Sequence, residues 1–131
     1  MNSPLNLINV FAVGLGASIG AWVRWGFNAL FNHVLPNMPL GTLAANLTGG
    51  LIMGAVISLV GLGYLESTYL RLLITTGFLG GLTTFSAFTG ESLLLLQKQE
   101  YIWATVHISS HVFGALLMAI IGFTAVQYFR T

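Results

Sequence analysis

The sequence predicts an all-α membrane protein with four transmembrane helices, the third of them broken near the middle of the bilayer. Hydrophobic residues make up 56% of the 131 positions and charged residues only 5%, whereas a soluble domain carries roughly 25% charged residues. Four apolar runs, at about 5–31, 40–63, 69–97 and 101–129, reach the roughly 20 residues that a helix needs to span a bilayer. We expect one domain, residues 1–131, that is not an enzyme, because its few titratable residues are scattered.

The first run is too long for a signal peptide and has no small-residue cleavage site, so we expect it to remain as a helix. Three glycine pairs have the spacing i, i+4 that lets helix backbones approach closely. They are Gly16 and Gly20 in the first run, Gly50 and Gly54 in the second, and Gly77 and Gly81 in the third. We therefore expect a compact bundle, with packing as the role of the first two pairs.

The third run contains glycines and hydroxyl residues where an ordinary membrane helix has aliphatic side chains. A glycine in a helix interior costs about 1 kcal/mol relative to alanine, so Gly77, Gly80 and Gly81 favour a break immediately before Thr83 and Thr84. A break frees carbonyl oxygens, which suit a hard cation such as Na⁺, and creates a helix N-terminus, which attracts anions. The alternative is a kink whose backbone groups are satisfied only by neighbouring helices.

Two phenylalanines follow this break on one helical face. Phe85 and Phe88 alternate with the hydroxyl residues Thr84, Ser86 and Thr89. The edge of an aromatic ring is electropositive and hydroxyl groups are hydrogen-bond donors. Together they predict a lining that binds an anion although the lining itself carries no full positive charge. Such weak binding lets the ion leave again, as a conduction path requires. The alternative is that both rings only face lipid.

Polar residues in the other runs have two interpretations each. Asn46 either bonds between helices or offers a donor to a pore. Arg24, between Trp22 and Trp25, is either an interfacial anchor or a positive mouth that attracts anions.

Three titratable residues lie near or within the last two runs. Glu91 lies one to two helical turns beyond the phenylalanines, and intramembrane carboxylates are candidates for function. His107 and His111 share a helix face. A metal site, a polar lining and hydrogen-bonded packing all remain open for this pair, although no cysteine or carboxylate accompanies it.

The distribution of Lys and Arg predicts no fixed orientation. Arg71 and Arg130 fall on one side of the membrane, and Lys98 and Arg24 on the other, so neither side has the excess that sets topology. We expect insertion in both orientations and pairing as an antiparallel two-fold homodimer, since closed dimers are the commonest oligomers. Insertion in one orientation is the alternative. The formal charge of +1 implies no nucleic-acid partner, and no soluble partner is indicated.

The chain resembles the Fluc/CrcB family of small dual-topology fluoride channels over essentially its whole length. The resemblance rests on Gly20-x-x-x-Arg24-Trp25, on Gly41-Thr-Leu-x-x-Asn46-Leu-x-Gly-Gly50, and on Thr76-Gly-Phe-x-Gly80-Gly81-Leu-Thr83-Thr84-Phe85-Ser86-x-Phe88 followed by Glu91. It implies passive fluoride efflux and fluoride resistance, through two pores in an antiparallel homodimer. It also implies a multi-pass protein of the cell's inner (plasma) membrane.

The resemblance implies site residues as well. The family's fluoride sites correspond to Asn46, Phe85 and Phe88, and a structural sodium ion is held at the dimer centre by carbonyls that correspond to Gly80 and Thr83. This chain departs from the family at Ala87, where a hydroxyl residue is common. His107, His111 and Ala115 also occupy positions where hydroxyl residues are common. His111 can replace a hydroxyl donor, whereas Ala115 cannot.

Two other classes of protein are built from a similar set of helices. A small dual-topology multidrug transporter depends on a carboxylate in its first helix, and the first run here contains Arg24 but no Asp or Glu. An accessory membrane subunit would explain the glycines but not the donors and aromatic rings of the third run. A fluoride channel is therefore the function that we expect.

Overall fold

The computed structural model describes residues 3–130 of the chain. Four segments in this range are helical, long and apolar enough to cross a membrane, and they end within a few residues of the expected bounds. They are α1 (Leu7–Phe31), α2 (Leu40–Gly61), a third span (Thr68–Gln97) and α6 (Tyr101–Phe129). The range contains no strand, only an isolated bridge between Leu35 and Met38. The expected four-span, all-α fold is confirmed.

The third span consists of four helical pieces. They are α3 (Thr68–Leu72), a π-helix (Leu73–Leu79), α4 (Gly80–Leu82) and α5 (Phe85–Gln97). Thr83 and Thr84 are extended, with ψ values of 154° and 118°, and they lie at the middle of the span. The expected break is confirmed, but it falls just after the glycines, because Gly80 and Gly81 are still helical. The π-helix was not expected from the sequence.

The glycines of α1 face those of the third span. A Cβ atom on Gly16 would meet the carbonyl oxygen of Leu73, and one on Gly20 would meet that of Phe78. In the opposite direction, a Cβ atom on Gly81 would meet the backbone of Ala17. The two helix backbones therefore touch, as small residues at this spacing allow.

The second and last spans approach each other in the same way. Cβ atoms on Gly50 and Gly54 would meet the backbones of Ala115 and Ala119, and a Cβ atom on Gly122 would meet that of Leu51. The bundle is thus built from two closely packed pairs, α1 with the third span and α2 with α6. The expected close packing is confirmed.

The loops between spans are short and the ends of several helices are capped. The side chains of Asn6 and Ser67 accept hydrogen bonds from backbone N–H groups in the first turns of α1 and α3, which satisfies donors that a helix start leaves free. Gly63, just after α2, has φ +78°, a conformation that glycine adopts without steric cost. The buried core of the chain is small and centres on Ala45, Leu79 and Leu82, so most large apolar side chains face outward.

Candidate ion-binding site at the break of the third span

The break redirects two backbone hydrogen bonds. In a continuous helix the N–H of Thr84 would donate to the carbonyl of Gly80, and the N–H of Ala87 to that of Thr83. Here the Thr84 N–H donates to Asn46 Oδ1 at 2.8 Å, and the Ala87 N–H donates to Thr84 Oγ1 at 3.1 Å. The carbonyl oxygens of Gly80 and Thr83 therefore lack their helical donors among residues 3–130, which leaves them available as acceptors.

Asn46 links the break to two other spans. Its Nδ2 atom donates to the Thr84 carbonyl at 3.1 Å and lies 3.0 Å from Nδ1 of His111 in α6. Together with the bond to Oδ1, these contacts employ every polar atom of the carboxamide. Bonding between helices, one of the two interpretations of Asn46, is therefore observed, and its role in a pore stays a prediction.

Arg24 also contacts the break. Its Nε atom donates to the carbonyl of Gly81 at 3.0 Å, while the neighbouring Trp22 and Trp25 are exposed. The side chain thus turns toward the third span instead of extending along the outer surface as a simple anchor would. A positive charge is held beside the Gly81 carbonyl, where it adds to the local electrostatic potential.

Phe85, Phe88, His107 and His111 form an aromatic cluster. The ring centroid of Phe88 lies 5.6 Å from Phe85, 5.5 Å from His107 and 4.7 Å from His111. The two histidine rings are 4.6 Å apart at 64°. Phe88 and both histidines are buried, whereas Phe85 is 79% exposed. The cluster therefore reaches from the interior of the bundle to its surface.

An open cavity of about 480 Å³ lies against the break. Seven of the residues predicted for an ion site line it: Asn46, Gly80, Thr83, Thr84, Phe85, Phe88 and His111. The other four, Arg24, Ser86, Thr89 and Glu91, are not among its lining residues. No carboxylate lines the cavity in the part of the chain that the structure describes, which suits an anion better than a cation.

The hydroxyl groups predicted as donors differ in what they contact. The Oγ atoms of Thr84 and Ser86 lie 3.4 Å apart, and of these two residues only Thr84 lines the cavity. The Thr89 hydroxyl donates to the carbonyl of Phe85 at 2.8 Å, so its only hydrogen is already used. Thr84 is thus the best placed of the three hydroxyl donors, and Ser86 lies next to it.

Glu91 lies further along α5, outside the cavity. The residue is half-buried, and the Thr42 hydroxyl lies beside its carboxylate. One carboxylate oxygen, Oε2, is buried and has no hydrogen-bond partner among residues 3–130. A buried oxygen without a donor is unusual in a folded protein, which keeps Glu91 a candidate for a place on an ion path.

Several lining residues were not singled out from the sequence. Gly49, Met53 and Val112 contribute apolar wall, and Thr75 contributes a hydroxyl group. That hydroxyl donates to the carbonyl of Arg71 at 2.6 Å. Thr75 belongs to the hydroxyl-rich part of the third run but had no predicted role in the site, and the aliphatic wall has no signature that distinguishes it from lipid-facing surface.

The fold and the site define a small multi-pass membrane protein with a cavity at a broken helix that carries a few polar groups and no lining carboxylate in the described chain, an arrangement typical of ion channels and transporters. Residues 11–123 match the model of the family described as "CrcB-like protein, Camphor Resistance (CrcB)". The chain therefore belongs to the CrcB family, as its motifs predicted.

Similar curated proteins cover nearly the whole chain. A protein of Aromatoleum aromaticum named "Fluoride-specific ion channel FluC" is 49% identical over 130 residues, which are 99% of each chain. Proteins of the same name are 46% identical in Nitrosospira multiformis, over 95% of this chain and 97% of the relative, and 48% identical in Cupriavidus pinatubonensis, over 91% and 92%.

Proposed function

We propose that this protein is a fluoride-selective ion channel that allows passive fluoride efflux and so confers fluoride resistance. It is a channel and not an enzyme. The observation that carries the proposal is the cavity at the break, where aromatic rings and N–H and O–H donors meet without a lining carboxylate. Relatives of the same length are named for fluoride conduction. The absence of Asp and Glu from α1 and of carboxylates from the described cavity wall argues against a cation-exporting multidrug transporter.

The path that we propose passes through the cavity. Fluoride is small and tightly hydrated, so a selective path has to replace its water with closely spaced donors, and binding has to stay weak enough for the ion to leave. Thr84 and His111 supply polar hydrogens at the cavity wall, Ser86 supplies one next to Thr84, and the edges of Phe85 and Phe88 complete the shell. Asn46 borders the same cavity.

Three further residues act away from the cavity wall. Arg24 raises the positive potential near the break and concentrates anions there. Thr89 and Glu91 lie beyond Phe88 along α5, where they belong to the part of the path that leads to solution. There the Oε2 atom of Glu91, which has no hydrogen-bond partner among residues 3–130, would accept a hydrogen bond from water that enters the path.

The carbonyl oxygens at the break are suitable ligands for a structural sodium ion. The carbonyls of Gly80 and Thr83 have lost the helical donors Thr84 and Ala87, and carbonyl oxygens are the ligands that unwound membrane helices offer to Na⁺. Two carbonyls are too few to surround a cation, so we propose that a second subunit supplies the same pair. When bound, Na⁺ would supply a fixed positive charge that holds the two broken helices together.

The second subunit is an antiparallel copy of this chain in the plasma membrane. Gly80 is exposed and Phe85 is 79% exposed in the single chain, although both line the cavity. A partner related by a two-fold axis would cover these residues and complete two equivalent pores. The lipid bilayer and this second copy are the partners that the proposal requires.

Expression in a bacterium that lacks its own fluoride exporter tests the function in cells. We expect cells that carry this chain to grow at fluoride concentrations that stop cells with an empty vector. Resistance to cationic drugs without resistance to fluoride would instead support the multidrug transporter. Membrane-inserted protein that gives no protection from fluoride would contradict the proposal.

A further inference from the structure

A second cavity, here called the end cavity, lies at one end of the bundle and away from the break. Its volume is about 320 Å³, and it is lined by Leu59, Tyr64, Val126, Phe129 and Arg130. Leu59 belongs to the last turn of α2, Tyr64 to the loop that follows, and the other three residues to the end of α6. None of the five has a part in the proposed ion path.

The end cavity lies at the depth where lipid headgroups meet the hydrocarbon of a bilayer. Both α2 and α6 are long enough to cross a membrane, and they end here, at Gly61 and Phe129. Tyr64 and Tyr128 are 64% and 77% exposed at the same end. Tyrosine is enriched at this depth because its ring is apolar and its hydroxyl is polar. A ligand in the end cavity would therefore contact headgroups and acyl chains at once.

Hydrogen bonds fix the helix ends that form the end cavity. The Nε2 atom of Gln127 donates to the Oγ atom of Ser58 at 2.9 Å, and Ser58 is only 1% exposed. These two residues are the chain neighbours of Val126 and Leu59, so the bond sets the distance between the two walls. The N–H of Tyr64 donates to the Leu59 carbonyl at 3.0 Å. The end cavity is thus built into the fold before any ligand enters.

Arg130 gives this end of the described chain a net positive side-chain charge. Glu66, in the loop after α2, and Arg71, in α3, lie on the same side of the membrane and offset each other. Among the described residues that line the end cavity, Arg130 alone is charged, and Tyr64 alone adds a hydroxyl to the apolar wall. A guanidinium group can donate to two oxygens of one phosphate. The end cavity therefore favours an anion that also has a hydrocarbon part.

We propose that the end cavity binds one anionic phospholipid, with the phosphate on Arg130 and Tyr64 and an acyl chain against the apolar wall. Its volume of about 320 Å³ lies at the lower end of the roughly 300–1,000 Å³ of small-molecule sites. It therefore takes a headgroup and the first carbons of a chain, while the remaining carbons lie in the bilayer. Free phosphate would leave the apolar wall in contact with water. The site is independent of the proposed fluoride path.

Native mass spectra of the purified protein in detergent test the site. Phosphatidylglycerol and phosphatidylcholine with the same acyl chains are added at rising concentrations, and the bound lipids are counted. We expect one phosphatidylglycerol per chain at concentrations at which phosphatidylcholine does not bind. Arg130→Gln should weaken the binding of phosphatidylglycerol about fivefold, the effect of one basic residue beside an anionic headgroup. Lys98→Gln, which removes the same charge at the other end of the bundle, should bind like the wild type.

Filling the apolar part of the end cavity gives a second, independent measurement. Val126→Trp should weaken the binding of phosphatidylglycerol, because the indole ring takes the place of the acyl chain. Ile102→Trp, 80% exposed at the other end of α6, is the control that should leave binding unchanged. Equal binding of the two lipids by the wild type, or equal losses in Arg130→Gln and Lys98→Gln, would overturn the proposal. Wild-type binding of phosphatidylglycerol by Val126→Trp would place the lipid elsewhere and overturn it as well.

Discussion

Single side chains replace the helical hydrogen bonds that are lost at Thr83 and Thr84. Asn46 pairs with both backbone groups of Thr84, and Arg24 donates to the Gly81 carbonyl. A buried backbone group without a partner costs about 1–3 kcal/mol, so these two residues stabilise an extended segment at the middle of the span. The same contacts leave the carbonyls of Gly80 and Thr83 without helical donors.

The two phenylalanines of the break have separate environments, which leads to a first prediction. Phe88 is buried against both histidines, while Phe85 is 79% exposed. We expect Phe88→Ile and Phe85→Ile each to reduce fluoride flux by about tenfold or more, because isoleucine has volume but no electropositive edge. Flux from liposomes is the measurement, with Phe129→Ile at the far end of α6 as the matched control. Equal flux in all three variants would refute the aromatic role.

The charge of Arg24 and its hydrogen bond can be separated, which gives a second prediction. Arg24→Gln keeps an N–H donor for Gly81 but removes the charge. If the charge concentrates anions, flux should fall roughly two- to tenfold at low ionic strength, and the difference should shrink at high salt because of screening. A variant whose flux deficit does not change with salt would assign Arg24 a purely structural role.

Pairs of helices hold the bundle together through backbone contact. The second span packs on α6 where Gly50 and Gly54 meet Ala115 and Ala119, and α1 packs on the third span in the same manner. Lipid tails are as apolar as leucine, so burial of apolar side chains does little to hold helices together in a membrane. Backbone contact and the hydrogen bonds of Asn46 and Arg24 stabilise the bundle instead. The break can therefore be held in place although few large side chains are buried.

Glycine substitutions test this packing and form a third prediction. A Cβ atom on Gly54 would collide with the backbone of Ala119, whereas a Cβ atom on Gly14 would meet nothing within 4 Å. We expect Gly54→Ala to lower the free energy of unfolding by about 1–3 kcal/mol and Gly14→Ala to leave it unchanged or higher. Thermal unfolding in detergent measures both. Equal unfolding temperatures would show that α2 and α6 are further apart than the structure has them.

The sequence alone predicted the four spans, the approximate place of the break and the contact role of the glycine pairs. These features depend on local composition and spacing, which a sequence displays. It did not predict that Asn46 closes on Thr84, because the two are 38 positions apart and only the fold brings them together. The partner of each glycine pair, the π-helix and the contact between His111 and Phe88 are unpredictable for the same reason.

At the scale of the whole molecule, the single chain leaves site residues uncovered. Gly80 and Phe85 line the cavity and are exposed, so the single chain does not enclose the cavity. Two copies in opposite orientations would complete it, and the balanced Lys and Arg residues permit both orientations.

Labelling of single cysteines tests the dual topology and is a fourth prediction. The chain has no cysteine, so Gln99→Cys, in the loop after α5, introduces a unique thiol without removing a basic residue. In intact cells a membrane-impermeant thiol reagent should label about half of the protein, since no charge excess favours either orientation. Glu66→Cys, in the loop after α2 on the opposite side, should be labelled to the same extent. Full labelling of one variant and none of the other would establish a single orientation.

Reconstitution of the purified wild-type chain, without any other protein, tests the central claim most directly. Liposomes loaded with potassium fluoride and made permeable to potassium with an ionophore should release fluoride rapidly, as recorded with a fluoride electrode. Liposomes loaded with potassium chloride should retain chloride under the same conditions. Fluoride release no faster than that from protein-free liposomes, or equal release of both anions, would contradict the account.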